Sequence, residues 1–206
     1  MYKRQTVILR PVKGVDRPAI AIQLPTSKGI SILLDAGANV DCKTNQLFQF
    51  GIMGHVFAEY ILEKENPSVG LLSIGEEDGK GNEIVKETFQ MLKNSHINFI
   101  GNLEGKEVYR GNADVVVCDG FVGNVLLKLV EGIGTELGLQ LQAALSDKMP
   151  PEDLKKLVQE LHSKNNVVDS RGGGPVFGVN GVSIVGHGSA SPGSFDRSVS
   201  LSLIHI

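Results

Sequence analysis

Residues 113–119 read "ADVVVCD", a β-branched run broken by a single acid near its start, and a long apolar-patterned segment begins directly behind it. A strand without polar alternation is buried on both faces, as a central strand of a parallel sheet is. Such a strand requires helices on both sides of the sheet, and the flanking sequence supplies them. Residues 19–24 and 30–35 read as two short strands around the turn "PTSKG", a hairpin. Residues 44–64 carry a helical apolar pattern that Asn66-Pro67 stops. A buried strand at 68–74, a helix at 82–94, a strand at 97–102, a helix at 121–145 and a last strand within 179–188 complete the alternation. This order implies βαβ units and an α/β fold with a largely parallel sheet covered on both faces.

Composition narrows the function classes. A net charge of −3, no Trp and 5% aromatic residues leave neither a basic face nor stacking platforms for nucleic acid. Cys42 and Cys118 show no metal-ligand spacing and no CxxC, which fits a reduced, cytoplasmic compartment and no metal. No apolar run is long enough to span a bilayer. The ends "MYKRQ" and "LSLIHI" look foreign to the rest. Residues 1–5 and 196–206 are therefore expected to be non-native, and 6–195 to form one domain. Within it, 146–166 differs in character: Pro150-Pro151, a cluster of acids, then Leu154, Leu157, Val158 and Leu161 on one face. It reads as a protruding amphipathic helix, packed on its own domain or offered to a partner or a membrane surface.

Four strand ends share one grammar: an apolar run, a glycine turn and short polar side chains. They are "LLDAGANVD", "LLSIGEEDGKGN", "VVCDGFVGNV" and "SIVGHGSASPGS". Ligands of open α/β sheets bind beyond the carboxyl ends of the strands. Three of these ends are expected to lead into helix N-termini, where free N–H groups favour anions, phosphate above all. The candidates are Asp35 and Asn39, Lys80 and Asn82, Asp119 and Asn124, and His187. Some have a plain alternative: Asn82 as an N-cap, Lys80 as a solvated loop lysine, His187 as a structural histidine; Cys118 beside them reads as a small strand residue, and Asp35 and Asp119 are the better candidates because a strand-end carboxylate lies near the crevice. No P-loop and no GxGxxG fingerprint is present.

The segments "LLDAGANVDCK", "VGLLSIGEEDGKGNE", "FIGNLEG", "ADVVVCDGFVGNVLLKLVEG" and "GVNGVSIVGHGSAS" together resemble the bacterial phosphate acyltransferase family of phospholipid synthesis, PlsX. The resemblance runs from about Arg10 to about Ser191 and is weakest over 146–170. It implies a Rossmann-like three-layer α/β/α fold, similar to isopropylmalate dehydrogenases and phosphotransacetylases. It implies transfer of a long acyl chain from acyl carrier protein to inorganic phosphate without a cofactor. The acyl phosphate would pass to a membrane glycerol-3-phosphate acyltransferase, and the enzyme would be a homodimer peripherally attached to the membrane. Lys80 and Asp119 would then be catalytic, with Asp35, Asn39, Asn82, Asn124 and His187 holding phosphate or the thioester carbonyl. Asp78 would help orient the lysine. The family's opening motifs of the DAMGGD and GNTGA type are absent, so the chain reads as a fragment lacking the N-terminal third. Three alternatives remain at this point: a short-chain phosphotransacylase using coenzyme A, an inactive fragment or scaffold, and, weaker for want of the fingerprint, a nicotinamide dehydrogenase.

Overall fold

A computed structural model describes residues 8–165 and 173–186. Seven strands form one sheet, with β1 at Ala19–Thr26, β2 at Gly29–Leu34, β3 at Ser68–Leu72, β4 at Asn98–Leu103, β5 at Val115–Val117, β6 at Gly174–Phe177 and β7 at Ile184–Val185. Five helices whose bounds lie among the described residues accompany them: α1 at Thr44–Tyr60, α2 at Glu83–Lys93, α3 at Gly105–Arg110, α4 at Gly120–Leu145 and α5 at Pro151–Asn165. The strand order is β4-β3-β5-β2-β1-β6-β7.

The first four strands in that order are parallel, and β5 lies between β3 and β2 as its unbroken apolar run requires. Successive side chains alternate between two cores. Ile32, Leu34, Val69, Leu71, Val115 and Val117 meet Leu47, Phe50 and Phe57 of α1 and Phe89 and Leu92 of α2. On the other face, Ile20, Leu24, Leu33 and Val116 meet Val108 of α3 and Leu127 of α4. The period of two along each strand makes both faces apolar at once, which is the α/β/α layering expected from the sequence.

The structure adds detail that periodicity missed. β1, β6 and β7 pair antiparallel, so the sheet is a parallel block of four strands extended by an antiparallel block. β6, "GPVF", escapes the sequence reading because four residues with Gly and Pro carry no strand signal. The strand expected within 179–188 contracts to two residues. α3 has six residues, too few for a helical period. α1 ends at Tyr60 rather than near 64, and the chain then turns through Glu63 and Asn66 at φ of 52° and 48°.

That turn brings Lys64 to the amino edge of the parallel block. Its ammonium donates to Asp114 Oδ1 and to the Ile30 carbonyl at 3.2 Å. Asp114 Oδ2 accepts from the Ser68 amide at 2.8 Å and its hydroxyl at 2.7 Å. The starts of β2, β3 and β5 are thus tied at one point. Burial raises the Asp114 pKa, but the hydrogen bonds from Lys64 and Ser68 outweigh it and hold the carboxyl below its ordinary value.

Candidate active site

The carboxyl ends of β2, β3 and β5 lie side by side, so three of the four glycine-bearing junctions share one sheet edge. The fourth does not continue that row. β7 is antiparallel to β6, β6 to β1 and β1 to β2, so β7 runs against the parallel block and ends in the opposite direction. His187, just beyond it, lies outside the described residues.

At the end of β2, Asp35 is fully buried. Its Oδ1 accepts from the amides of Ile20 at 3.1 Å, Gly37 at 3.1 Å and Ala38 at 3.0 Å. Its Oδ2 accepts from the Asn39 amide at 2.7 Å and from Asn39 Nδ2 at 2.9 Å. Asn39 Nδ2 also donates to the Pro18 carbonyl at 2.8 Å. Both side chains therefore fold the loop upon itself and do not face solvent. Burial pushes the Asp35 carboxyl above its ordinary value, and the hydrogen bonds from Ala38, Asn39 and Ile20 offset this only in part.

The β5 junction is locked to this loop. Gly120 N donates to the Asn39 carbonyl at 2.7 Å, and Asp35 N to the Cys118 carbonyl at 2.9 Å. Asp119 is half-buried and caps α4, its Oδ1 accepting from Val122 N at 2.8 Å. α4 has 26 residues, about 39 Å of aligned peptides behind that N-terminus. Asn124 is exposed one turn on and stands over Gly37: a Cβ built on Gly37 would lie 3.6 Å from Asn124 Cβ. The two thiols below are buried and held in their protonated form. Burial, then the Asp35 charge, pushes Cys42 up to about 12. Burial, then Asp119 and Asp35, pushes Cys118 well above its ordinary value.

The β3 junction is the Ser73–Asn82 loop. Asn82 is the N-cap of α2, accepting from Val85 N at 2.9 Å, so the capping role open to it from the sequence is realised. Gly81 needs its glycine twice: its φ is +104°, and a Cβ would meet Val85 Cγ1 at 2.6 Å and Ser73 Oγ at 3.1 Å. Lys80 is exposed, and its stem lies against Gly75. Two of the three acids before it find other partners. Asp78 pairs with Lys93 of α2 at 2.8 Å rather than orienting Lys80. Glu76 pairs with Lys106 of α3 at 3.7 Å. Glu77 offers its backbone carbonyl to Lys80 N at 3.0 Å and to Asn102 Nδ2 at 2.8 Å. Lys80 makes no ion pair among the described residues and remains a point charge at the edge of the three junctions.

The structure thus brings Asp35, Asn39, Asp119 and Asn124 into one locked pair of loops. Lys80 and Asn82 stand on the loop of the strand on the other side of β5. Asn102, at the carboxyl end of β4, was not among the sequence candidates. A buried Asn closing an apolar strand was the signal that could have found it. No group of three or more metal-ligating side chains occurs among the described residues.

The sequence pattern of the family described as "Fatty acid synthesis protein" matches residues 3–203. The phosphate acyltransferase of Desulforamulus reducens is 47% identical over 186 residues, covering 89% of this chain and 56% of that protein. Those of Lawsonia intracellularis and Acidobacterium capsulatum are 48% and 44% identical, covering 89% and 90% of this chain and 54% and 56% of their own lengths. The chain spans little more than half the length of these relatives. Among solved structures, a branched-chain phosphotransacylase from Enterococcus faecalis V583 aligns with a TM-score of 0.58 at 16% identity, over 91% of this chain and 64% of its own. A phosphotransacetylase from Streptococcus pyogenes aligns with a TM-score of 0.51 at 17% identity, over 62% of this chain and 45% of its own. At such identities these two share the fold alone. The match over 3–203 and the identities near 45% place the chain in the fatty acid synthesis protein family, together with the bacterial phosphate acyltransferases.

Proposed function

We propose that this protein is a phosphate acyltransferase that moves a long-chain acyl group from the thioester of acyl carrier protein to inorganic phosphate. One observation carries the reading. Lys80 stands without an ion-pair partner among the described residues, while the neighbouring acids Glu76 and Asp78 are held by Lys106 and Lys93. A glycine loop that pairs two of its three acids with other lysines and leaves Lys80 without an ion pair among the described residues suits an incoming anion.

Phosphate is itself the nucleophile. One of its oxygens attacks the thioester carbonyl carbon, a tetrahedral oxyanion forms, and the carbon–sulfur bond breaks to release the carrier thiol. The protein's task is to hold two electron-rich groups together and stabilise the oxyanion. Lys80 neutralises phosphate, and Asp119 takes the phosphate proton or steers the lysine from the adjoining junction. Asn82 and Asn124 donate to phosphate or to the thioester carbonyl. Asp35 and Asn39 support the site from beneath by fixing the loop against which α4 starts, and His187 is a secondary contributor.

Hydroxylamine trapping tests this. Purified protein, acyl carrier thioester and phosphate are expected to yield hydroxamate faster than the direct reaction of hydroxylamine with the thioester, and omission of phosphate to remove that excess. Absence of a phosphate-dependent excess of hydroxamate sinks the reading; preference for a short coenzyme A thioester over the carrier thioester replaces it with a coenzyme A phosphotransacylase.

The homodimer implied by the resemblance finds support in α4. Phe121, Val125, Leu129, Ile133 and Leu137 recur every four residues and are 49–61% exposed. They form a ridge that winds about 40° around the helix at each step, and exposed apolar surface of this kind suits a second copy of the chain. α5 packs against α4, with Leu154 buried and Leu157 and Val158 half-buried. No helix among the described residues is long and apolar enough to cross a membrane. Peripheral attachment beside a membrane glycerol-3-phosphate acyltransferase belongs to the same reading. It fails if the protein does not float with anionic liposomes.

A further inference from the structure

Among the described residues, two buried polar atoms beneath the Lys80 loop have no hydrogen-bond partner: Ser73 Oγ and Asn102 Oδ1. Asn102 is 5% exposed. A buried, half-satisfied amide costs stability, so its retention needs a reason. Its other half supplies one. Asn102 Nδ2 donates to the Glu77 carbonyl at 2.8 Å, and the Lys80 amide donates to the same carbonyl at 3.0 Å. Asn102 sits opposite Leu71 in the β3–β4 ladder, a rigid platform, and Ser73 N extends that ladder to the Leu103 carbonyl at 2.8 Å. The loop itself has glycines at 75, 79 and 81 and is otherwise tethered through exposed ion pairs of Glu76 and Asp78, which hold weakly. Among these ties the Asn102 amide is the buried one.

We propose that Asn102 is the positioning residue of the Lys80 loop: it fixes the Glu77 carbonyl, and through it the backbone from which Lys80 reaches phosphate. Asn102 acts through Lys80 and does not touch substrate. The inference rests on Lys80 being the phosphate-binding cation, and two readouts keep the two ideas apart. Hydrogen exchange of the 75–82 segment reports on the tether alone. Calorimetric titration with inorganic phosphate reports on the cation.

In Asn102→Leu, which keeps the bulk and removes the donor, exchange of 75–82 should rise at least tenfold, and phosphate affinity should fall about tenfold, the worth of one partly buried hydrogen bond. Asn102→Asp, which sets an acceptor against the Glu77 carbonyl, should do the same. In Lys80→Ala, exchange should be unchanged and phosphate affinity reduced. Combining Lys80→Ala with Asn102→Leu should weaken phosphate no further than Lys80→Ala alone. Additive losses, unchanged exchange in Asn102→Leu, or phosphate affinity unmoved while exchange rises would each overturn the positioning role. So would global unfolding of both Asn102 variants, which would make the residue a structural one. Unaltered phosphate binding in Lys80→Ala, or none in the parent protein, removes the cation role and with it the consequence for phosphate. The tether would then stand or fall on the exchange result.

Discussion

The α-carbon of Gly123 lies so close to the carbonyl of Asp35 that a Cβ built on it would stand 1.9 Å from that oxygen. The first turn of α4 is pressed onto the end of β2, and only glycine permits it. The contact closes the edge on which the Asp35 loop and the Asp119 cap meet.

Gly123→Ala should therefore separate the two elements. Backbone cannot yield as a flexible side chain can, so a loss of about 1–3 kcal/mol is expected, the usual range for overpacking. Urea denaturation measures it. A stability equal to the parent's would mean that the close approach is not maintained in solution.

Lys80→Ala should lower phosphate-dependent hydroxamate formation by about 10²-fold or more with no change in urea midpoint, because the side chain is exposed and acts on developing charge. A near-normal rate takes Lys80 out of the mechanism.

Asp114→Asn tests the amino-edge tie. The folded carboxyl titrates below its ordinary value, so ionised Asp114 favours the folded state. That stability is present above the unfolded pKa and is lost as pH falls through the folded one. At pH 7 the variant should be less stable than the parent by on the order of 2 kcal/mol, since it replaces a charged acceptor by a neutral one. The gap should shrink below about pH 4, where the unfolded carboxyl begins to protonate. A pH-independent gap would mean that the lost interaction is not one of charge.

Leu129→Glu and Ile133→Glu place acids in the exposed stripe of α4. If the stripe seats a second copy, self-association should weaken on the order of 100-fold in sedimentation or light scattering. A parent protein that is already monomeric ends the dimer reading.

Much of the architecture was legible because it is local. The strand at 113–119, the helix behind it and the caps Asn82 and Asp119 follow from periodicity and from the chemistry of helix starts within a few residues. Three junctions were also rightly grouped, since parallel strands deliver their carboxyl ends to one edge. The roles within the group were less legible. Asp35 and Asp119 look alike as strand-end acids. One is sealed by five donors, including Ile20 from the neighbouring strand, while the other keeps to the first turn of α4.

The sequence by itself determined the alternation of elements, the two-faced core and the positions of the glycine turns, because periods of 2 and 3.6 and backbone conformations are set by near neighbours. Only the tertiary structure decided that Glu76 belongs to Lys106, Asp78 to Lys93 and the Glu77 carbonyl to Asn102, leaving Lys80 free of an ion pair among the described residues. It also decided that β7 runs against the parallel block. Partners 15 to 30 residues away depend on how sheet and helices pack, and a local pattern does not encode which of several lysines arrives.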